Sequence, residues 1–479
     1  MLIDNSIASL SFTLSDNYKI SGNLDNALYY MKQAYNIYSE TDKVTSVNCL
    51  ERFGRIYESK GNYEFAEELY ADYAQNYKKL FDLSPNKPEI KAGFASSLGI
   101  LGTFQQKIGK SEDSLNNLNK SLGLYQKLHQ NYPEKENYKF GIAVSYSKLG
   151  DIFYDSGNLK KALSFFRKDK KLSEELFQEH KKEQYGEALA ISSEKLANIY
   201  KVKGNFDEAL KYYSIQHELL ERLHSLNPKN ETLHLRFAVS YFSIGEIFRQ
   251  KGKLDEVLDK FQRYKEHCYD LHLKNPQGKD IEHTLAIAYG IIGNVFQQQG
   301  SVKANEENIH ESHNIFIKLY HNNPYSKVLK KDFAISHVEY GEVELAKGNI
   351  SKALAHYTDA LNLFYELSTN SDNEQHKRGL AMVNSKLGKL YIEEGNIQEA
   401  LNYITENLNI YEALNKNNPD NQEIKNDLSN AFIQVGSIYI SVGDYSNALN
   451  VLKKSNTLSQ STFELNSENI HSRYNLASS

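Results

Sequence analysis

The chain has 479 residues, 40% of them hydrophobic, and a mean hydropathy of −0.60. This is typical of a folded protein that is long for a single globular core. Its net charge of −5 and pI of about 6.3 lack the basic surplus of nucleic-acid scaffolds. The only two cysteines, Cys49 and Cys268, lie far apart in sequence, which argues against a disulfide framework and favours a reducing compartment.

The N-terminal residues lack the basic and apolar segments of a secretory signal. No apolar stretch approaches the ~18 residues of a membrane span. We therefore expect a cytoplasmic protein with no nucleic-acid and no membrane partner.

One phrase recurs along the chain, as SGNLDNALYYM from residue 21, KGNFDEALKYY from residue 203 and EGNIQEALNYI from residue 394. Its glycine occurs ten times, with a first interval of 39 residues and intervals of 47 or 48 residues thereafter. These turn glycines are Gly22, Gly61, Gly109, Gly157, Gly204, Gly252, Gly300, Gly348, Gly395 and Gly443. A fixed period of this length indicates a repeat architecture in which each unit packs on its neighbours.

Each unit has the same pattern of large and small residues around its turn glycine. Eight residues before the glycine stands a large apolar residue, and the next residue is always small. Five residues after the glycine, seven units have Ala, and nine residues after it all ten are apolar. Spacings of 3, 4 and 7 are helical, so each unit is predicted to be two helices joined by a turn in which glycine takes φ > 0. The small residue is predicted to lie where the paired helices approach most closely.

The prolines mark the linkers between units. Six of the seven stand 24 residues before the turn glycine of their unit, and the seventh, Pro88, lies in the first of these linkers. Because proline is excluded from helix interiors, each helix is predicted to span about 18–20 residues. We predict ten helix pairs over residues 1–464 and the first half of an eleventh pair over residues 465–479.

The pattern of large and small residues around the turn glycine, as in YSKLGDIFYDSGNLKKALSFF at residues 146–166, resembles the tetratricopeptide repeat over essentially the whole chain. The usual unit of that family has about 34 residues, and we ascribe the longer unit of this chain to about two additional turns per helix. The resemblance implies an all-α fold, a right-handed α-α superhelix. It also implies a non-enzymatic protein–protein interaction scaffold that binds a protein or peptide on its concave surface.

In this family the first helix of each unit lines the concave surface, which places binding residues ten, six and three positions before the turn glycine. The candidates for partner binding are the apolar Val338, Leu345, Ile392, Ile433 and Ile440 and the polar Asn198, Glu246 and Asn294. An exposed apolar stripe would mark a contact surface, whereas longer helices could instead bury these residues against their neighbours. One branch of the family binds the C-terminal carboxylate of chaperones with lysines ten residues before the turn glycine. No unit of this chain has Lys or Arg at that position, so binding of this kind is not expected.

No phosphate-binding glycine loop is found, and no enzyme, catalytic residue or cofactor is predicted. HESH at residues 310–313 has i, i+3 spacing, unlike the HExxH zinc motif. Cys268, His272, His313 and His321 would offer ligands that suit zinc. A solvated or half-buried helix face explains them more simply, so no metal site is predicted.

Unit seven departs from the repeat pattern, with Asn305 where Ala is usual and Glu306 where Leu is usual. Nearest-neighbour stability should be lowest there, which predicts local opening or a kink near residues 300–310.

The ends of the chain lack the polar capping element that solenoids usually carry. We therefore expect a longer polypeptide with a downstream domain, or end-to-end self-association. A second hypothesis for function follows, in which the chain is the sensory or regulatory repeat arm of a larger multidomain effector.

Overall fold

The structure is a computed structural model that describes residues 2–20, 22–276, 278–369, 373–465 and 470–478. Within these residues it contains 21 helices and no strand, which confirms the predicted all-α repeat fold. The helices are α1 (Leu2–Ile20), α2 (Leu24–Thr41), α3 (Lys43–Ser59), α4 (Tyr63–Leu83), α5 (Pro88–Lys107), α6 (Ser111–Asn131), α7 (Glu136–Asp155), α8 (Leu159–His180), α9 (Glu183–Val202), α10 (Phe206–Leu226), α11 (Glu231–Gln250), α12 (Leu254–Lys274), α13 (Lys279–Gln298), α14 (Val302–Asn322), α15 (Lys327–Ala346), α16 (Ile350–Thr369), α17 (Glu374–Glu393), α18 (Ile397–Asn417), α19 (Gln422–Ser441), α20 (Tyr445–Leu465) and α21 (Ile470–Ser478).

The helices form two compact units, residues 1–192 and residues 193–479, and the boundary falls within α9. In the first unit α5 packs along α6 and α7 packs along α8, while α6 also packs on α7. In the second unit the same order is seen for α13 with α14, α15 with α16 and α14 with α15. Helices therefore pair within a repeat and the pairs stack in sequence, as in a solenoid.

The Gly-Asn pair of the recurring phrase closes one helix and begins the next. All ten turn glycines have φ between 71° and 83°, a conformation that glycine adopts without steric cost. At Gly204 the following Asn205 N–H donates to the Tyr200 carbonyl at 2.8 Å, which satisfies the end of α9. The Asn205 side chain then accepts from the Glu208 N–H at 3.1 Å and caps α10.

The small residue of the first helix lies under a large residue of the second, nine residues after the turn glycine, whereas the repeat pattern predicted only that the two helices approach closely there. A Cβ placed on Gly54 would be 2.5 Å from Cε1 of Tyr70, and one on Gly150 would be 2.5 Å from Cδ1 of Phe166. Real Cβ atoms are not found this close to another heavy atom. The absence of a side chain at this position therefore sets how closely the two helices of a pair can pack.

A second set of glycines lies between successive pairs. A Cβ on Gly93 of α5 would be 2.6 Å from Cζ of Tyr77 of α4. Gly379 of α17 stands in the same relation to Phe364 of α16, at 2.5 Å. This contact was not predicted, because only three units have glycine at this position.

Three of the linkers between the ten units lack proline, and two of these, at residues 181–182 and 370–373, lie where the interval between turn glycines is 47 residues. Lys181, with φ of 54°, is the one residue other than glycine with positive φ among the described residues, and it ends α8. Residues 370–372 of the other linker lie outside the described residues, as does Ser467 at the start of the predicted eleventh unit. The described part of that unit, α21, packs on α19 and α20.

No helix in the described ranges is both long and apolar enough to cross a lipid bilayer. Cys49 and Cys268 are buried free thiols. Burial raises the pKa of each thiol to about 12, so neither supplies a reactive thiolate near neutral pH.

Candidate ligand-binding surface

In the first unit, polar side chains connect the first helices of successive repeats. Lys107 Nζ of α5 lies 2.8 Å from Glu58 Oε1 of α3, and Gln106 donates to Asp155 of α7 at 2.6 Å. The Tyr70 hydroxyl donates to the other Glu58 oxygen at 2.9 Å. These contacts align α3, α5 and α7 side by side and fix the surface on which the family resemblance places binding residues.

A cavity of about 570 Å³ opens on this surface. Its lining combines apolar side chains from three helices with charged side chains. The apolar members include Phe104, Leu118, Tyr125, Phe140 and Val144. The charged members are Arg55, Glu58, Lys107 and Lys148. An apolar interior with a few polar groups at its edge is the usual composition of a ligand pocket.

Gly99 lines the cavity and adds no side chain to its volume. Gly99 stands ten residues before Gly109, in a column that holds Phe12 and Phe242 in other repeats. A Cβ on Gly99 would have only the Ser121 hydroxyl within 4 Å, at 3.3 Å. The cavity could not be predicted from side chains that bind at this repeat position, because the residue that lines it here has no side chain.

Cationic groups outnumber anionic groups at the cavity. Glu58, its one carboxylate, is already engaged by Lys107 and by the Tyr70 hydroxyl. Burial and the adjacent Glu58 carboxylate raise the pKa of Tyr70, so its hydroxyl remains protonated near neutral pH. Arg55 pairs with Glu51, which is buried beside the cavity. With Glu51 counted, three cations face two carboxylates, and this surplus of one positive charge favours a ligand that places an apolar group inside and an anionic group at the edge.

In the second unit, the predicted apolar stripe divides into buried and exposed residues. Val338 is 4% exposed and belongs to a core cluster, and Leu345 packs against the same cluster. Ile433 is partly buried. Ile392 and Ile440 are 38% and 48% exposed. The hypothesis of an apolar binding stripe thus depends on these last two residues, and it stays a prediction.

Two of the predicted polar residues have partners within their own repeat. The Asn198 side chain accepts a hydrogen bond from the Tyr213 hydroxyl. Glu246 Oε2 lies 2.7 Å from Arg249 Nη2. A ligand would have to compete with these contacts, so the two residues are better placed to orient neighbours than to bind a partner alone.

The third polar residue connects two repeats. Asn294 of α13 donates to Glu339 of α15 at 2.7 Å. Burial raises the pKa of Glu339 to about 7, although this hydrogen bond opposes the rise. Nearby, Lys386 Nζ of α17 lies 2.6 Å from Glu342 of α15. A row of polar contacts therefore also runs across the first helices of this unit.

The second unit has a smaller cavity, of about 280 Å³. Its charged lining residues are Lys201, Glu246, Arg249, Arg378, Glu423 and Asp427. Arg378 donates to Glu423 at 3.1 Å and to Asp427 at 2.8 Å. Burial alone would raise the pKa of Glu423, but the charges of Lys201 and Arg378 outweigh it and lower that pKa. This cavity is smaller, and Phe206 is the one large apolar side chain among its described lining residues, which leaves the cavity of the first unit as the better candidate site.

Comparisons with known proteins agree with this architecture. A family model for the tetratricopeptide repeat matches residues 429–462. No curated protein matches the chain. Among solved structures, the apo form of RapI has 13% identity and a TM-score of 0.54, covering 86% of this chain and 97% of its own. A Rap protein complexed with Competence and Sporulation Factor has 15% identity and a TM-score of 0.52, covering 89% of this chain and 99% of its own. Yeast Tom70 has 14% identity and a TM-score of 0.35, covering 98% of this chain and 96% of its own.

The family match lies within a single helix pair. It begins seven residues into α19, includes Gly443 and ends three residues before the end of α20. The helices of the pair have 20 and 21 residues, so the family motif occupies their turn-proximal parts. The chain contains a tetratricopeptide repeat, and its all-helical fold is that of the tetratricopeptide-repeat solenoids.

Proposed function

We propose that the chain is a non-enzymatic interaction scaffold that binds an extended peptide, or an extended segment of a partner protein, at the cavity of its first unit. The observation that carries this proposal is the cavity of about 570 Å³ with its apolar interior and cationic edge. Ligand pockets usually enclose about 300–1,000 Å³. The volume is therefore suited to one or two apolar side chains of a peptide.

The charged and polar residues of the cavity suggest what such a peptide contains. Arg55, Lys107 and Lys148 would favour an acidic side chain or a carboxylate next to the apolar residue. Asn137, which is exposed at the same cavity, offers a side-chain amide that both donates and accepts hydrogen bonds. An extended backbone presents both kinds of group, which makes a peptide a better match than a purely apolar molecule.

The fold neighbours bear on this proposal through architecture only. Rap, whose fold is similar, is complexed with Competence and Sporulation Factor. We extend to this chain the idea that a solenoid of this type holds a bound factor, while the choice of surface rests on the cavity itself.

The test is a selection of short peptides from a random library on the immobilised full-length chain. Gly99→Phe should fill the cavity, and Val144→Asp should place a carboxylate in its apolar wall. Each should weaken the selected peptides at least about tenfold. Leu83→Asp is the matched control, because Leu83 is 78% exposed in the same unit and is not part of the cavity lining.

A selection that enriches no peptide, or peptides that bind the two cavity variants as well as the parent, would contradict the proposal. Circular dichroism of each variant establishes that helical content is retained.

A further inference from the structure

Three histidines from three successive helices of the second unit meet at one point. They are His313 of α14, His337 of α15 and His356 of α16, and one ring nitrogen of each lies within 4.8 Å of the other two. The ring centroids are 4.8 Å apart for His313 and His337 and 5.3 Å apart for His337 and His356. His313 and His337 are only 7% and 9% exposed, and His356 is half-buried.

The hydrogen bonds of His313 determine which of its ring nitrogens carries the proton. Its Nδ1 lies 2.9 Å from the Ser336 hydroxyl, and that hydroxyl donates its one hydrogen to the Phe333 carbonyl at 2.8 Å. With its hydrogen placed there, Ser336 accepts from His313 Nδ1, and this tautomer leaves the Nε2 lone pair available. Orientation of a histidine through its second nitrogen is the arrangement found around metal ligands.

The other two histidines lie at the spacing of two ligands on one ion. His337 Nδ1 and His356 Nδ1 are 3.0 Å apart and share a hydrogen bond, which a bound ion would replace. Two nitrogens bound tetrahedrally to zinc at about 2.0–2.1 Å are separated by about 3.3–3.4 Å. Phe333, 4.5 Å from the His337 ring, and Tyr340, 4.9 Å from the His356 ring, hold both imidazoles in place.

We infer that His313, His337 and His356 form a binding site for a divalent transition-metal ion, with Zn²⁺ as the best match. Three imidazoles suit zinc, copper and nickel, whereas calcium and magnesium prefer oxygen ligands. Asp359, one helical turn after His356, has its Oδ2 3.9 Å from His337 Nδ1 but is not one of the three residues that meet within 4.8 Å, so it would reach the ion through a water molecule.

The electrostatic surroundings keep the imidazoles in the form that binds metal. Burial lowers the pKa of His313 to about 3 and that of His337 to about 4, and it also lowers the pKa of His356. A neutral imidazole is the ligand form. The imidazoles are therefore neutral near neutral pH, and whichever of His337 and His356 carries its proton on Nδ1 must move it to Nε2 before Nδ1 can bind an ion.

An earlier repeat provides an internal comparison. His217, 96 residues before His313, lies 2.8 Å from the Ser240 hydroxyl, which donates to the Phe237 carbonyl at 2.6 Å. The positions that correspond to His337 and His356 are Tyr241 and Lys260. The Ser–His contact is thus a packing feature of the repeat, and the two added histidines are what distinguishes the proposed site.

Of the four residues that the sequence analysis weighed as zinc ligands, only His313 belongs to this cluster. Cys268 is buried in a core cluster of α12 with Tyr264, and His321 Nδ1 lies 2.8 Å from the Ile317 carbonyl of its own helix. The spacing of 24 and 19 residues between the three clustered histidines matches no short metal motif.

An ion bound here would join α14, α15 and α16, and hence the seventh and eighth repeats. One of them, α14, belongs to the seventh repeat, in which Asn305 interrupts the packing pattern. The site would act as a structural clip at this junction, and its loss should lower the melting temperature only when metal is present.

The test is calorimetric titration of the tag-free, EDTA-treated full-length chain with Zn²⁺. We expect one ion per chain with micromolar or tighter affinity, and a tetrahedral absorption spectrum when Co²⁺ replaces Zn²⁺. His356→Ala should weaken binding at least about 100-fold, and Ser336→Ala, which releases the His313 tautomer, about tenfold. His217→Ala should bind Zn²⁺ as the parent does.

Absence of Zn²⁺ binding to the parent, or binding that His337→Ala and His356→Ala both leave unchanged, would overturn the inference. If His337→Ala fails to fold, His356→Ala decides the question, since His356 is half-buried. A Zn²⁺-dependent rise in melting temperature that persists in His356→Ala would likewise overturn it.

Discussion

The ring of Phe261 lies directly on the backbone of Gly245, so that a Cβ at residue 245 would stand 2.7 Å from Phe261 Cδ1 and nearer still to Cε1. The same relation recurs in other repeats between the residue seven before the turn glycine and the residue nine after it, as in Gly341 with Tyr357. We expect Gly245→Leu to destabilise the second unit by ~1–3 kcal/mol or more, because the larger side chain must displace a buried aromatic ring. Thermal and urea unfolding of the variant measure the change.

Gly123 provides the matched control for this substitution. It lies within α6, and a Cβ there would meet no other atom within 4 Å. Gly123→Ala should therefore stabilise the protein by about 0.5–1 kcal/mol through helix propensity alone. Equal melting temperatures for Gly245→Leu and the parent would contradict the role of the small residue in the close packing of the paired helices.

The helix pairing could be predicted from sequence because each contact is repeated at a fixed spacing. The small residue and its large partner recur with the period of the chain, so ten weak patterns reinforce one another. The glycine contact between pairs, as at Gly379 with Phe364, recurs in too few repeats to be recognised in this way.

The candidate sites were harder to predict, for two physical reasons. The cavity of the first unit is lined at residue 99 by a glycine, and a lining residue without a side chain leaves no motif. The histidine cluster combines residues from two repeats, and only the packing of α14, α15 and α16 brings His313, His337 and His356 together. Periodicity describes what the repeats share, whereas function depends on where one repeat differs.

Asn305 is expected to weaken the seventh repeat. It occupies the column that is usually Ala, is 3% exposed, and its Oδ1 has no hydrogen-bond partner among the described residues. In the third repeat, Ser114 in the same column donates to the Gly102 carbonyl at 2.6 Å. Leaving a buried acceptor unpaired costs about 1–3 kcal/mol, so Asn305→Ala should stabilise the protein, whereas Ser114→Ala should not.

Hydrogen exchange measures this difference along the chain. Amides near residues 300–310 should exchange faster than those of the equivalent helices, and Asn305→Ala should slow them. Exchange that is uniform along the repeats in the parent would show that the unpaired oxygen does not weaken this segment.

Asp42 is expected to make stability depend on pH in the first unit. It is the single residue between α2 and α3, and its Oδ1 accepts from the N–H groups of Val44 and Thr45 at 3.0 and 3.1 Å. The hydrogen bond from the Thr45 hydroxyl, with those from the backbone, lowers the pKa of Asp42 below 3.8 in the folded protein. The stabilisation from this ionised cap is therefore complete above pH 3.8 and is lost as the pH falls through the lowered pKa.

Asp42→Ala should cost about 1 kcal/mol at neutral pH, the usual value of a helix N-cap. Asp42→Asn keeps a capping oxygen and removes the charge, so it should lose much less stability than Asp42→Ala. Its melting temperature should also fall less than that of the parent as the pH is lowered. Melting temperatures of the three proteins across the acid range measure this, and parallel curves for Asp42→Asn and the parent would exclude the titration of Asp42 as the cause.

The apolar stripe of the second unit yields a final prediction, which tests the effect of its residues on stability separately from their effect on partner binding. Ile392 and Ile440 are exposed, so converting both to Asp should change the free energy of unfolding by less than about 0.5 kcal/mol each. Leu345 packs against the core cluster of Val338 and Tyr357. Leu345→Asp should therefore destabilise the fold by several kcal/mol, because it brings a carboxylate to an apolar contact.

If the stripe also binds a partner, the double isoleucine variant should lose that partner while its melting temperature matches the parent. The cavity of the first unit is unaffected by this variant, so peptides selected on that cavity should still bind it. A large drop in the melting temperature of the double isoleucine variant would mean that these side chains stabilise the fold, and would remove them as a contact surface. Retention of every partner by the stably folded variant would do the same, and would leave the cavity beside Gly99 as the site at which binding should be sought.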